Sequence, residues 1–364
     1  VRLKLEGWRG ISHSYAMVNQ HQMLELRKRR AITLFHRDMP FPDPRWAERK
    51  GASGFNSEAA AILAGVPLPD SLTDVTFRIC YPHDASADGG ARVFTFATCE
   101  FDQLIPGAIG AVDQDSLFVT PSRWSKQGLV ASGFDPRRIH IVPHGIDPAI
   151  FHPPSAQSRA AMRRWLGIGP EQFLFINVSA VTTNKGIDAL LMAFAQVHDR
   201  HPQAVLLLKD QSSLYENFTA ASLLESMGNA MGPARHAVRT LSDDLSLTAL
   251  AALYGAADAY VSPYRAEGFN LPPLEAAACG VPIAVTQGGA TDDYVQESFA
   301  LSIASRPRIH AGLGMLEPEH DAIVEAMLRL IEQPPRDMTS GVQWIAENYS
   351  WTRAVDKLLA AFAA

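Results

Sequence analysis

Short apolar runs alternate with stretches whose apolar residues recur at helical spacing, most regularly in the second half of the chain. Phe173–Val178 and Ala204–Leu208 are runs of the kind that form parallel strands buried on both faces. Between them, Ile187–Val197 carries apolar residues on one helical face. Leu247–Tyr254 predicts a helix, Ala259–Val261 a strand, Leu274–Cys279 a helix stopped by Gly280, and Val281–Val285 a further strand. Such alternation predicts an α/β fold with a parallel sheet covered by helices.

The first half carries the same pattern more loosely. Strands are expected at Val1–Glu6, Ala31–Phe35, Arg92–Phe96 and Ser116–Thr120, and a helix over Ser14–Arg29 after the turn Gly7-Trp8-Arg9-Gly10. Met39–Pro44 and Val66–Pro69 are proline-rich loops. Pro and Gly cluster at Pro143–Asp147 and Phe151–Ser155, where a linker between two domains is expected.

A chain of 364 residues is long enough for two such domains. Hydrophobic residues make up 47% and charged residues 19%, with a net charge of −6. That balance, without a long basic tract, sets nucleic-acid partners aside. No apolar run approaches the roughly 20 residues of a membrane-spanning helix. Cys80, Cys99 and Cys279 are widely spaced, giving neither a disulfide framework nor a zinc motif, and a cytoplasmic location is expected. Asp243-Asp244 and Asp292-Asp293 are adjacent pairs that fit helix starts, so no metal is expected. No Gly-x-Gly-x-x-Gly follows a strand, which argues against nicotinamide chemistry. His36-Arg37-Asp38 stands without the other kinase motifs.

The chemistry concentrates where the strand at Ala259–Val261 runs into the following helix. Pro272 and Pro273 suit a first helical turn, and Gly268 permits a tight bend before it. Backbone N–H groups of Phe269, Asn270 and Leu271 would then line a helix start, which favours phosphate. Glu267 and Glu275 stand on either side, able to hold sugar or ribose hydroxyls.

These residues, Glu267-Gly268-Phe269-Asn270-Leu271-Pro272 through Glu275 to Cys279-Gly280-Val281-Pro282, resemble the signature of retaining family 4 glycosyltransferases. Val119–Trp124, Gly133–Asp135, Ile141–Asp147, Phe151–Pro153, Asn184–Asp188 and Asn348–Trp351 also match that family's pattern. The resemblance implies two doubly wound Rossmann-like domains facing a cleft, the glycosyltransferase-B type, with a C-terminal helix crossing back. The N-terminal, acceptor-side domain would cover 1–147 plus about 345–364, and the nucleotide-sugar domain 148–344. By the same resemblance Glu275 holds the donor ribose, Glu267 faces the transferred sugar, and Lys185 neutralises the departing diphosphate. The donor would be a UDP- or GDP-sugar, a substrate and not a cofactor, and the acceptor a glycan or lipid-linked hydroxyl.

One departure stands out: the family's arginine shortly before the lysine is missing from Ser179–Asn184. Lys209, ending its strand, is the candidate replacement. In the first half, Gly10 could let backbone approach phosphate, and His13 or Arg9 could touch donor or acceptor. The family's later histidine has no counterpart in Phe96–Phe101, which leaves Thr98 and Glu100, with His83 and the hinge residue His144 as further candidates. Arg27-Lys28-Arg29-Arg30 reads as a solvated helix end or as a peripheral contact with the inner face of a membrane. Two other functions remain open: a sugar-nucleotide hydrolase or epimerase of this fold, and a non-catalytic sugar-nucleotide-binding module.

Overall fold

The computed structural model describes every residue except 52, 114, 217, 218 and 336. The chain forms two compact units: Val1–Gly145 with Tyr349–Ala364, and Ile146–Asn348. Each is built on a six-stranded, all-parallel sheet.

The first unit contains β1 (Arg2–Gly7), α1 (Ser14–Arg27), β2 (Thr33–Asp38), α2 (Ser57–Ala64), β3 (Val75–Ile79), β4 (His83–Ala85), β5 (Arg92–Phe96), β6 (Ile109–Val112), β7 (Leu117–Thr120), α3 (Arg123–Ala131) and β8 (Ile139–Ile141). Its sheet has the order β2-β1-β3-β5-β7-β8, while β4 and β6 pair separately. Strand alternation gives that sheet two different faces. Leu3, Leu5, Phe77 and Ile79 share the apolar one. Lys4, Glu6, Thr76 and Arg78 share the other, where Arg78 Nε meets Glu6 Oε2 at 2.7 Å and Lys4 Nζ meets Glu6 Oε1 at 2.8 Å. All four are buried. A charge inside β3 is tolerated because Glu6 pairs with it directly.

The second unit contains α4 (Ala156–Trp165), β9 (Phe173–Val178), α5 (Ile187–Arg200), β10 (Ala204–Lys209), α6 (Ala220–Met231), β11 (Val238–Leu241), α7 (Leu247–Ala256), β12 (Ala259–Ser262), α8 (Leu271–Ala278), β13 (Ile283–Thr286), β14 (Ala300–Ile303), β15 (Ser305–His310), β16 (Leu313–Pro318), α9 (His320–Glu332) and α10 (Met338–Asn348). The sheet order is β11-β10-β9-β12-β13-β14, and β15 and β16 form an antiparallel hairpin. Leu190, Leu191, Phe194 and Val197 present one fully buried face of α5, which packs against α9. Each such side chain contributes about 1.5–3 kcal/mol through burial. The chain returns to the first unit as α11 (Trp351–Ala363). There Phe362 packs on Phe94 and Phe77 at centroid distances of 4.7 and 5.5 Å, and Trp351 stacks on His21 at 4.7 Å.

The expected elements appear, with shifted ends. The second strand begins at Thr33, and α8 begins at Leu271, so that Pro272 and Pro273 fall in the first turn that they suit.

Candidate active site

In a doubly wound sheet the order of strands reverses at one point, and the loops leaving the carboxyl ends there diverge and open a crevice. In the second unit that point lies between β9 and β12. Their backbone pairing is confined to Ala259 with Phe175 and Tyr260 with Ile176. Beyond it, side chains bridge the strands. Asn177 Nδ2 donates to Val261 O at 2.8 Å, and the Tyr260 hydroxyl donates to Val178 O at 3.1 Å. Asn177 and Tyr260 are buried, so these bonds satisfy groups that would otherwise be stranded.

The loop after β9 carries Lys185 and the loop after β12 carries Glu267. Lys185 Nζ lies 2.8 Å from Glu267 Oε1, with 17% and 12% of the two side chains exposed. Gly186 makes the approach possible. It has φ 68°, and a Cβ there would fall 2.0 Å from Pro263 O. Asn184 O accepts from the backbone N–H groups of Arg265 at 2.7 Å and Ala266 at 3.1 Å, completing the junction.

The turn into α8 follows a path different from the expected one. Asn270, and not Gly268, is its left-handed residue, with φ 64° and ψ 71°. Its side chain donates to Ser262 Oγ at 3.0 Å and its carbonyl accepts from the Tyr294 hydroxyl at 2.7 Å. With its side chain engaged by Ser262, Asn270 makes no side-chain cap to the start of α8. Gly268 and Phe269 precede it in the same turn, and Leu271 is its first residue.

Glu275 projects from α8 toward α7, where the Tyr254 hydroxyl donates to its Oε2 at 2.9 Å. Glu275 as a residue is half-buried. Desolvation raises its carboxyl to about 7, partly offset by the Tyr254 hydrogen bond. Tyr254 was not anticipated from sequence. It lies in a helix that reads as uniformly apolar, and nothing in that pattern marks its hydroxyl as a partner for an acid.

Lys209 ends β10 beside Val178, so it shares the carboxyl edge of the sheet with the Lys185 loop. Its Nζ donates to Asp210 O. Burial lowers its ammonium below the ordinary lysine range, while the carboxylates of Asp210, Asp244 and Asp243 pull the other way.

The remaining candidates belong to the first unit. Gly10 has φ 84°, and its N–H donates to Gln20 Oε1 at 2.9 Å. Arg9 is engaged by Asp38 at 2.9 Å and by Leu63 O at 2.6 Å. His13 caps α1 by accepting from Tyr15 N at 3.2 Å and packs edge-on against Trp8, and burial lowers it to about 4. His83 is buried with Nδ1 3.1 Å from Cys80 O, and its ring lies 6.2 Å from that of Tyr15. Thr98 hydrogen-bonds Tyr15, and Glu100 supplies its carbonyl to Trp124 Nε1 at 2.8 Å. Tyr15, His83, Thr98 and Glu100 thus gather near the carboxyl ends of β3 and β5. His144 packs against Phe96 and Trp351. At the end of α1, Lys28 pairs with Glu25 and Arg29 with Asp356, while Arg27 and Arg30 remain exposed.

Among the described residues, no group of three or more His, Cys, Asp or Glu could hold a metal ion, and no helix is long and apolar enough to cross a membrane.

Two parallel-sheet units, one with a cation and two carboxylates at its switch point, define an α/β protein of the glycosyltransferase-B type. The model of the family "Glycosyl transferases group 1" matches residues 158–343, half of the chain, and the chain belongs to that family. It is 28% identical over 259 residues to a D-inositol 3-phosphate glycosyltransferase of Geodermatophilus obscurus, a match covering 69% of this chain and 53% of that one. It is 27% identical over 256 residues to the GDP-mannose-dependent alpha-(1-6)-phosphatidylinositol monomannoside mannosyltransferase of Mycolicibacterium smegmatis, covering 67% and 61% respectively. The chain thus spans between half and two thirds of the length of these relatives. Among solved structures, Anabaena HepE in complex with UDP and glucose superposes with a TM-score of 0.70 at 13% identity, covering 99% of both chains. Sucrose-phosphate synthase from Thermosynechococcus elongatus gives 0.69 at 15% identity, covering 100% and 98%. At these identities the likeness concerns the fold.

Proposed function

We propose that this protein is a retaining, metal-independent glycosyltransferase that moves a sugar from a UDP- or GDP-sugar to a hydroxyl of a glycan or lipid-linked acceptor. The observation that carries the reading is the placement of Lys185, Glu267 and Glu275 around the switch point of one sheet. A nucleoside diphosphate needs positive charge for its phosphates and acceptors for its ribose hydroxyls. Lys185 and the start of α8, with Gly268, Phe269, Asn270 and Leu271, supply the first, and Glu275 the second. Glu267 then faces the transferred sugar.

Breaking the bond between anomeric carbon and phosphate places positive charge on the sugar and negative charge on the diphosphate. Lys185 and the helix start stabilise the second charge as it forms, and one well-placed donor is worth roughly 3 kcal/mol of barrier. Retention follows the family signature, with a donor phosphate oxygen taking the acceptor's proton. On the first unit, Thr98, Glu100 and His83, gathered around Tyr15, are the proposed acceptor side. His13 and Arg9 are committed to packing and to Asp38, and Gly10 to Gln20. A cytoplasmic enzyme working against the inner face of a membrane suits a lipid-linked acceptor, in keeping with the phosphatidylinositol mannoside named for one relative.

A second reading, a binding module without turnover, has one observation in its favour. Ser179–Asn184 contains no arginine, and Lys209 Nζ is engaged by Asp210 O. Calorimetric titration with UDP, GDP, ADP and their sugar conjugates tests both. Binding of one nucleoside diphosphate, lost in Glu275→Ala, supports the site. Binding with no turnover on any acceptor supports the module. No binding at all removes the donor assignment.

A further inference from the structure

We infer that Arg265 is a positioning residue for the Lys185–Glu267 pair, holding the loops after β9 and β12 in register and tying both to the β15–β16 hairpin. The inference rests on the reading of that pair as the donor site. Its geometry holds independently of the ligand.

Arg265 is 5% exposed. Its side chain reaches three elements. Nη1 donates to Thr183 O at 2.9 Å and to Asp188 Oδ1 at 2.7 Å, and Nη2 donates to Asp188 Oδ2 at 2.8 Å. Nε faces the Glu317 carboxylate at 3.2 and 3.3 Å. Its backbone reaches two more partners: the N–H donates to Asn184 O at 2.7 Å and the carbonyl accepts from Leu316 N at 2.8 Å. Thr183 and Asn184 immediately precede Lys185, Asp188 follows it on the first turn of α5, and Arg265 itself stands two residues before Glu267.

The guanidinium is therefore committed to carboxylates and a carbonyl, which makes it unsuited to replace the missing phosphate-binding arginine. What it does is mechanical. A planar, bidentate fork fixes distance and angle together, which a lysine ammonium does not. Two loops leaving diverging strands have no shared backbone ladder, and Arg265 supplies a cross-brace one turn away from the reacting groups. Glu317 is also held by Arg308 of β15, so the hairpin belongs to the same brace.

The test uses the full chain without ligand. Asp188→Asn and Glu317→Gln each weaken one end of the brace at constant shape; Arg265→Gln removes it and Arg265→Lys is the conservative variant. Lys185 acetylation by a succinimidyl ester is followed by mass spectrometry, with buried Lys209 on the neighbouring strand as the internal control. Amide exchange is read over residues 179–186 and 263–270. Asp188→Asn and Glu317→Gln should raise Lys185 labelling roughly three- to tenfold through local opening while Lys209 labelling stays unchanged. Arg265→Lys should fall between them and wild type. Unchanged Lys185 labelling and exchange in both carboxylate variants would overturn the inference, as would Lys209 labelling that rises in parallel. UDP and GDP titrations run alongside. If labelling responds and wild type binds neither nucleotide, the brace stands and the donor reading fails. If wild type binds and labelling is insensitive, the reverse holds.

Discussion

Lys185 Nζ and Glu267 Oε1 lie 2.8 Å apart, joining the loops that leave β9 and β12 on the two sides of the switch point. In this pair each neutralises the other. On the proposed donor reading, a diphosphate at Lys185 must compete with Glu267 for the same ammonium.

That competition has a measurable consequence. Glu267→Gln should bind free UDP or GDP about three- to tenfold more tightly by calorimetry, since the partly buried pair no longer has to be broken. On the proposed role of Glu267 at the transferred sugar, turnover should nevertheless fall roughly a hundredfold, because the carboxylate has lost its charge. Lys185→Ala should lose affinity and turnover together. Weaker nucleotide binding in Glu267→Gln would show that the carboxylate assists the diphosphate and does not compete for its lysine.

Glu275 gives a pH-dependent prediction. Its folded value of about 7 lies above the ordinary 4.5, with desolvation as the larger cause. The folded protein therefore holds a proton that the unfolded chain has released between those values. The stabilising contribution is complete below about 4.5 and is lost as pH rises through 7. Above pH 7 the bare carboxylate costs the empty protein up to about 3 kcal/mol. Glu275→Gln should raise the melting temperature at pH 8, leave it little changed near pH 4.5, and weaken nucleotide binding at both. Tyr254→Phe should move the carboxyl higher still by removing the hydrogen bond that favours its charged form.

The first unit should be the acid-sensitive half. Burial holds His13, His36 and His83 near 4 and His21 and His144 near 3. Each depressed value means stability that is present above 6.5 and declines as pH falls toward the folded value. The limiting slope is about 1.4 kcal/mol per histidine per pH unit. Hydrogen exchange between pH 7 and 5 should show peptides of Val1–Gly145 opening before those of Ile146–Asn348. Simultaneous opening would mean that the two units unfold as one.

Gly186→Ala tests the junction itself. A Cβ at φ 68° would meet Pro263 O at 2.0 Å, so one of the two loops must move. A loss of roughly 2–4 kcal/mol in denaturant unfolding is expected, with turnover reduced further than stability alone explains. A variant with wild-type stability would show that the loops separate at little cost.

The sequence announces the second unit more clearly than the first, for a physical reason. Strands such as β9 and β10 are apolar on both faces, so they read as uninterrupted runs. In the first unit, β3 went unread because Arg78 breaks its pattern, and its partners Glu6 and Ser86, brought to it by the fold, explain how an arginine can be buried there. The site divides in the same way. Glu267, Glu275 and Lys185 are legible as candidates because their residue types suit the expected chemistry at a strand-to-helix turn. Tyr254 bonds Glu275, and Arg265 bonds Thr183 and Asn184 of the Lys185 loop. A tyrosine in an apolar helix and an arginine in a loop carry no sign of their partners, since Asp188 and Glu317 become neighbours only once β12, α5 and β16 are assembled.

The return of α11 to the first unit bears on how the chain matures as it leaves the ribosome. Ile146–Asn348 is continuous and can close its core as soon as it has emerged. Val1–Gly145 is synthesised before that unit yet closes after it, because Trp351 and Phe362, which stack on His21 and cover Phe94, follow residue 348. Until α11 has emerged, the apolar face of its sheet lacks that helix. The unit made earlier is therefore completed later, and termination anywhere within Ile146–Asn348 would leave it exposed to chaperones and proteases.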